Sequence, residues 1–128
     1  MRLLLDTHFV LAFLRKDFPS RFPRFSQFFD EADIDGFVSV ASLWEIAIKW
    51  RLGKLDPGMA LDDMPSVLQA SGLTIMPIGV PHVIKAVEPE PGTRDPFDRL
   101  LLGQCQAEGL LLVTVDRLLA DHRLAFRF

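Results

Sequence analysis

The chain has 128 residues, 49% of them apolar, and a net charge of -3 at pH 7, a size and composition that fit one domain spanning 1–128 around one sizeable core. The acidic balance excludes wholesale electrostatic capture of a polyanion, because that affinity comes from many Lys and Arg groups displacing counterions. The lone Cys105 excludes an internal disulfide and favours a reducing compartment, with the cytoplasm as the expectation.

Met1-Arg2-Leu3-Leu4-Leu5 opens like an export signal, but Asp6 and His8 interrupt it. No uncharged apolar run of the roughly 18 to 20 residues that span a bilayer follows, so no membrane role is expected. Leu3-Leu4-Leu5 predicts a buried strand ending at Asp6, then a helix over 8–14 that closes before Asp17-Phe18-Pro19. Phe22, Phe25, Phe28, Phe29 and Ala32 recur at helical spacing, which predicts a second, amphipathic helix packed on the core. Phe37-Val38-Ser39-Val40 reads as a strand, followed by a helix over 42–52 stopped by Gly53.

A loop or short turn covers 55–65, a short helix 67–70 and a third strand 73–76, and Pro81 opens a helix reaching 87. Pro89, Pro91 and Gly92 make 88–92 a loop. A helix over 96–108 closes at Gly109 and leads into a strand over 110–114, then Asp116 and a last helical turn. A final short strand is expected to include 126–128. Strands apolar at successive positions and separated by helices imply a mainly parallel sheet covered on both faces, whose ligands sit beyond the carboxyl ends of the strands.

Four acids fall at those ends: Asp6 after the first strand, Glu45 in the helix after the second, Asp98 at the start of the long helix, and Asp116 after the late strand. Each has an ordinary explanation. Ser42-Leu43-Trp44-Glu45 fits a capping box, and Asp95-Pro96-Phe97-Asp98 fits an Asp cap with proline in the first turn. Helix starts do not require four acids on one rim, however, and carboxylates gathered there need protons or cations. Oxygen ligands without thiolates or a His pair suit Mg²⁺ or Mn²⁺. Local basic groups that would hold a polyanion are Lys49, Arg51 and Lys54, and Arg94, Arg99 and Arg117.

The blocks Leu4-Leu5-Asp6-Thr7-His8, Val38-Ser39-Val40-Ala41-Ser42-Leu43-Trp44-Glu45-Ile46, Arg94-Asp95-Pro96-Phe97-Asp98-Arg99-Leu100-Leu101 and Leu112-Val113-Thr114-Val115-Asp116 resemble, in order, PIN domains of VapC-like toxins. The resemblance spans nearly the whole chain. It implies an α/β fold, a three-layer α/β/α sandwich with a mainly parallel sheet. It further implies a metal-dependent endoribonuclease, acting as the toxin of a toxin-antitoxin pair. Such a protein forms a homodimer and is blocked by a small cognate antitoxin.

By the same resemblance Asp6, Glu45, Asp98 and Asp116 are the catalytic and metal-holding acids, with Asp95, Thr7, Thr114 and Arg99 in support. One or two Mg²⁺ or Mn²⁺ ions would stand before the scissile phosphate of the RNA. The chain departs from the subgroup before Asp95, where histidine or another basic residue is frequent and Glu88, Glu90, Gly92 and Thr93 precede Arg94 instead. Trp44 and Trp50 are expected in core or dimer packing, and His8, lacking a His partner, is not expected to ligate metal. The alternative is a PIN-like module that binds RNA or protein without turnover. A phosphate receiver is disfavoured because no lysine follows Lys85, and a dehalogenase-type phosphatase because His8 stands where a second aspartate is needed.

Overall fold

The computed structural model describes residues 1–127. Strands β1 (Arg2–Leu5), β2 (Asp35–Ser39), β3 (Thr74–Met76) and β4 (Leu111–Val113) form one sheet in the order β3-β2-β1-β4, every pair parallel. Because side chains alternate along a strand, Leu3 and Leu5 of β1 enter one core and Leu4 the other. All three are fully buried.

The first core gathers α1 (Thr7–Leu14), α2 (Phe18–Arg21), α3 (Pro23–Glu31) and α5 (Met64–Ala70), the second α7 (Pro96–Glu108) and α8 (Arg117–Ala120). Helices thus cover both faces, the α/β/α sandwich expected. Helix α4 (Val40–Arg51) serves both layers, Ile46 joining the first core and Ala41 the second.

The phenylalanines account for much of the first core. Phe9 stacks on Phe22 and Phe13 on Phe18, each with centroids 4.2 Å apart, and Phe25 meets Phe9 edge-on at 5.3 Å. Such pairs are worth about 0.5 to 1.5 kcal/mol each beyond area burial. Burial of Phe18 in this cluster also explains α2, a turn of helix where the sequence reading expects a break. Proline is tolerated there because it sits in the first turn.

Helix α7 matches its expected limits, with Asp95 at its N-cap and Gly109 left-handed at φ 69° just past its end. Helix α6 (Val80–Ile84) is shorter than expected and packs on α7, where Gly103 meets the His82 carbonyl so closely that a Cβ would collide with it. Beside β4 the chain returns as a single bridge between Leu112 and Ala125. Phe128, the end of the expected last strand, lies outside the described residues.

One local expectation is corrected. The N-cap of α4 lies three residues earlier than the capping-box reading has it: Ser39, not Ser42, caps the helix and accepts from the Ala41 N–H. Glu45 is therefore in the second turn, and the capping-box account of it fails. Trp44 and Trp50 are 58% and 48% exposed, which removes core packing and leaves dimer packing from the two places expected for them; Trp44 meets Phe97 edge-on at 5.6 Å. Among the described residues no helix is long and apolar enough to cross a membrane.

Candidate active site

The chain leaves β1 for β2 on one side, and β4 lies on the other, so the sheet's topological switch falls between β1 and β4. The two strand ends are tied there, the Asp6 N–H donating to the Val113 carbonyl at 3.0 Å. Asp6 follows β1 directly, and Asp116 comes three residues after β4.

Asp6 is 3% exposed, and its Oδ1 caps α1 by accepting from the N–H groups of His8 and Phe9. Asp116 caps α8 in the same way, its Oδ1 accepting from the Leu118 N–H at 2.8 Å. The Asp116 N–H in turn donates to Thr114 Oγ1 at 3.0 Å. Thr114 therefore shapes the turn that carries Asp116.

Glu45 is 7% exposed, and both its oxygens are engaged. Thr7 Oγ1 lies 2.6 Å from Oε1 and 3.1 Å from the Ser42 hydroxyl. An ionised carboxylate only accepts, so Thr7 gives its one proton to Glu45, and Ser42 supplies the proton of the other bond. Lys49 Nζ donates to Glu45 Oε2 at 2.7 Å.

Asp98 is half-buried in the first turn of α7. Its Oδ2 lies 3.4 Å from Thr93 Oγ1, while the Asp98 N–H donates to Asp95 Oδ1. Burial first, and then the charges of Asp95, Asp116, Glu45 and Asp6, push its carboxyl up to about 6. Besides the adjacent helix cap Asp95, three acids from distant parts of the sequence thus act on Asp98.

Capping a helix and serving a site are not exclusive, because a carboxylate has two oxygens. Among the described residues Asp6 Oδ2, Asp98 Oδ1 and Asp116 Oδ2 accept no hydrogen bond, and none of them is sealed from solvent. These hard oxygens fit Mg²⁺ or Mn²⁺ in donor type. Among the described residues no group of three or more His, Cys, Asp or Glu side chains is placed to hold a metal ion. The acids carry uncovered oxygens but do not form a ligand shell.

A family model described as PIN domain matches residues 3–123. The chain belongs to the PIN domain family. PIN domains are generally nucleases acting on nucleic acid, typically with divalent metal ions. A comparison with curated proteins returned no match.

The other residues singled out in this PIN domain divide by contact. Thr7 holds Glu45, and Asp95 caps α7 through the N–H groups of Phe97 and Asp98. Arg99 does not contact the four acids: its guanidinium donates to the Thr93 and Pro91 carbonyls and pairs with Glu90 at 2.8 Å, bracing the loop before α7. His8 is exposed, 3.9 Å from Asp6 Oδ1, and that carboxylate raises its pKa above the usual imidazole value.

Sequence reasoning missed Ser42 and Thr93 as partners of the acids. It also missed the Glu45–Lys49 pair, although Glu followed four residues later by Lys on a helix is a legible signal. Thr93 left a weaker trace, as a hydroxyl two residues before an Asp cap; its Oγ1 accepts from the Asp95 N–H.

Proposed function

We propose that this PIN domain is a divalent-cation-dependent endoribonuclease, the toxin of a VapC-like toxin-antitoxin pair, working in the cytoplasm. What supports the reading is that Asp6 and Asp116 follow the two strands flanking the switch point, and that the charges of Asp116, Glu45 and Asp6 all bear on Asp98. Asp6, Asp98 and Asp116 would hold Mg²⁺ or Mn²⁺ through their uncovered oxygens, with Glu45 completing the set once Lys49 yields. The ion supplies an acidified water and neutralises charge on the phosphate in transit.

Within that chemistry Thr7 and Ser42 fix the Glu45 carboxylate, Asp95 and Thr93 fix Asp98, and Thr114 sets the turn carrying Asp116. The expected homodimer and antitoxin contacts draw support from exposed apolar side chains, among them Val80, Val83 and Ile84 on α6 and Trp44 on α4.

The test uses Asp6→Asn and Asp116→Asn. Asparagine keeps a capping oxygen while removing the charge, so the helix starts survive. Cleavage of a mixed RNA pool with Mg²⁺ or Mn²⁺ is expected to fall by about a hundredfold or more in each. Full activity in both variants would discard the site. Because Glu45 is held by Lys49, a PIN-like module that binds RNA or protein without turnover is the second reading. RNA binding without product at saturating metal would favour it.

A further inference from the structure

A groove of about 300 Å³ opens beside Glu45, lined by Thr7, His8, Leu11, Glu45, Lys49, Lys54 and Leu55. Its cationic end is built by the way α4 stops. Gly53, left-handed at φ 71°, donates its N–H to the Trp50 carbonyl at 3.0 Å, and the Lys54 N–H donates to the Lys49 carbonyl at 2.8 Å. Those two bonds are a Schellman ending, a motif that commonly brings together apolar side chains at the two positions held here by Lys49 and Lys54.

In this chain those two positions are lysines that line the same groove. They contribute no apolar contact, and an anion entering the groove would be attracted by both. Lys49 is matched by Glu45, but among the described residues Lys54 forms no ion pair. The net unpaired charge at that end of the groove is positive, a few side chains away from a rim of acids.

We propose that this groove is a phosphate subsite, in which Lys54, with Lys49, grips a phosphodiester of the RNA strand next to the acidic pocket while Leu11 and Leu55 line the sugar. A strand, rather than a free phosphate ion, is favoured by a second cavity of about 390 Å³ that shares His8 and Leu11 with the first and continues to Arg15, Arg21 and Val115. The two together give an extended path across the outer face of α1. Local cations of this kind let a protein of net charge -3 hold a polyanion at one place only. The assignment deepens the ribonuclease reading and rests on it.

Lys54 is exposed and outside the helix, so its replacement leaves the core untouched. The experiment compares wild type, Lys54→Gln and Lys54→Arg for binding a fluorescein-labelled, mixed-sequence single-stranded RNA by anisotropy, across a salt series. A chelator keeps the RNA uncut. Lys54→Gln is expected to lose about three- to tenfold in affinity at low salt, with a salt slope shallower by about 0.7, while Lys54→Arg stays near wild type. In cleavage assays with Mg²⁺, Lys54→Gln should raise KM with kcat unchanged.

Affinity and slope equal to wild type in Lys54→Gln would overturn the subsite, and so would a fall in kcat at constant KM. If wild type cuts RNA but Lys54→Gln binds and cuts as well as it does, the groove fails and the nuclease reading stands. If wild type cuts nothing with either ion but Lys54→Gln still weakens RNA binding, the nuclease reading fails and the groove stands.

Discussion

Lys49 Nζ stands 2.7 Å from Glu45 Oε2, one turn along the same helix, while Thr7 donates to the other oxygen of that carboxylate at 2.6 Å. A nearly buried acid is thereby neutralised and oriented by two side chains from different helices. Removing either partner changes a different property of the site.

Lys49→Met takes the counter-charge from a carboxylate that is largely desolvated. Breaking such a pair from one side leaves an uncompensated charge, at a cost of about 2 kcal/mol for this partly buried pair. Chemical denaturation of the variant in chelator should show that loss, and millimolar Mg²⁺ or Mn²⁺ should recover most of it. A loss that divalent ions leave unchanged would show that Glu45 is remote from the cation.

Thr7→Val keeps the shape of the side chain and removes its hydroxyl. Glu45 then loses the bond at 2.6 Å, and the Ser42 hydroxyl loses its acceptor. RNA cleavage should fall about tenfold, in kcat or in metal affinity rather than in RNA affinity, as for other groups that orient a ligand. Thr7→Ser should restore it. A Thr7→Ser variant as impaired as Thr7→Val would mean that the methyl group, and not the hydroxyl, is what matters.

Asp98 predicts how stability follows pH. Its folded-state pKa, about 6, lies above the ordinary 3.8, so the folded chain holds this proton more tightly than the unfolded one. The contribution is neutral below the ordinary value, and stability is lost as pH rises from about 4 through 6. His8, with its pKa also raised, acts in the same sense at higher pH, its contribution disappearing as pH passes its own raised value. Asp98 is only half-buried, so after allowance for solvent screening the cost at pH 7.5 is about 1 kcal/mol. Asp98→Asn should therefore melt about 4 °C higher than wild type at pH 7.5 in chelator, and with no advantage at pH 4. A wild-type advantage at pH 7.5 would contradict the crowding of acids around Asp98.

Gly103→Ala tests the seat of α7 from its opposite side. A methyl group there meets the His82 carbonyl, a backbone atom that moves only with α6. Overpacking of this kind costs about 1 to 3 kcal/mol, measurable as a lower denaturation midpoint. Unchanged stability would show that α6 yields freely.

Helix α7 is legible in sequence because its signals are local: an Asp cap at Asp95, proline in the first turn, and glycine where the chain must turn left-handed. The parallel sheet is legible for a similar reason, since each strand is a short apolar run. The start of α4 is not. Ser39 and Ser42 are equally good caps by type, and the choice is made by tertiary structure: β2 pairs with β3 as far as Ser39, and Ser42 is pulled inward toward Thr7.

Asp6 and Asp116 can be read from their places after strands, and Glu45 and Asp98 from their places early in α4 and α7. The partners that hold them cannot, because Thr7 reaches Glu45 across 38 residues of sequence. Arg99 shows the converse. Its place beside Asp98 marks it as a site residue, yet its fork is taken by carbonyls of the preceding loop. Exposure of Trp44 is likewise invisible to helical periodicity, because α4 packs along two layers and leaves its outer face bare.

The switch point between β1 and β4 joins segments more than a hundred residues apart, since Asp6 and Asp116 follow neighbouring strands. During synthesis the pocket stays incomplete until β4 has left the ribosome and docked beside β1. A fragment that stops before β4 therefore lacks both Asp116 and the strand that holds the Asp6 N–H.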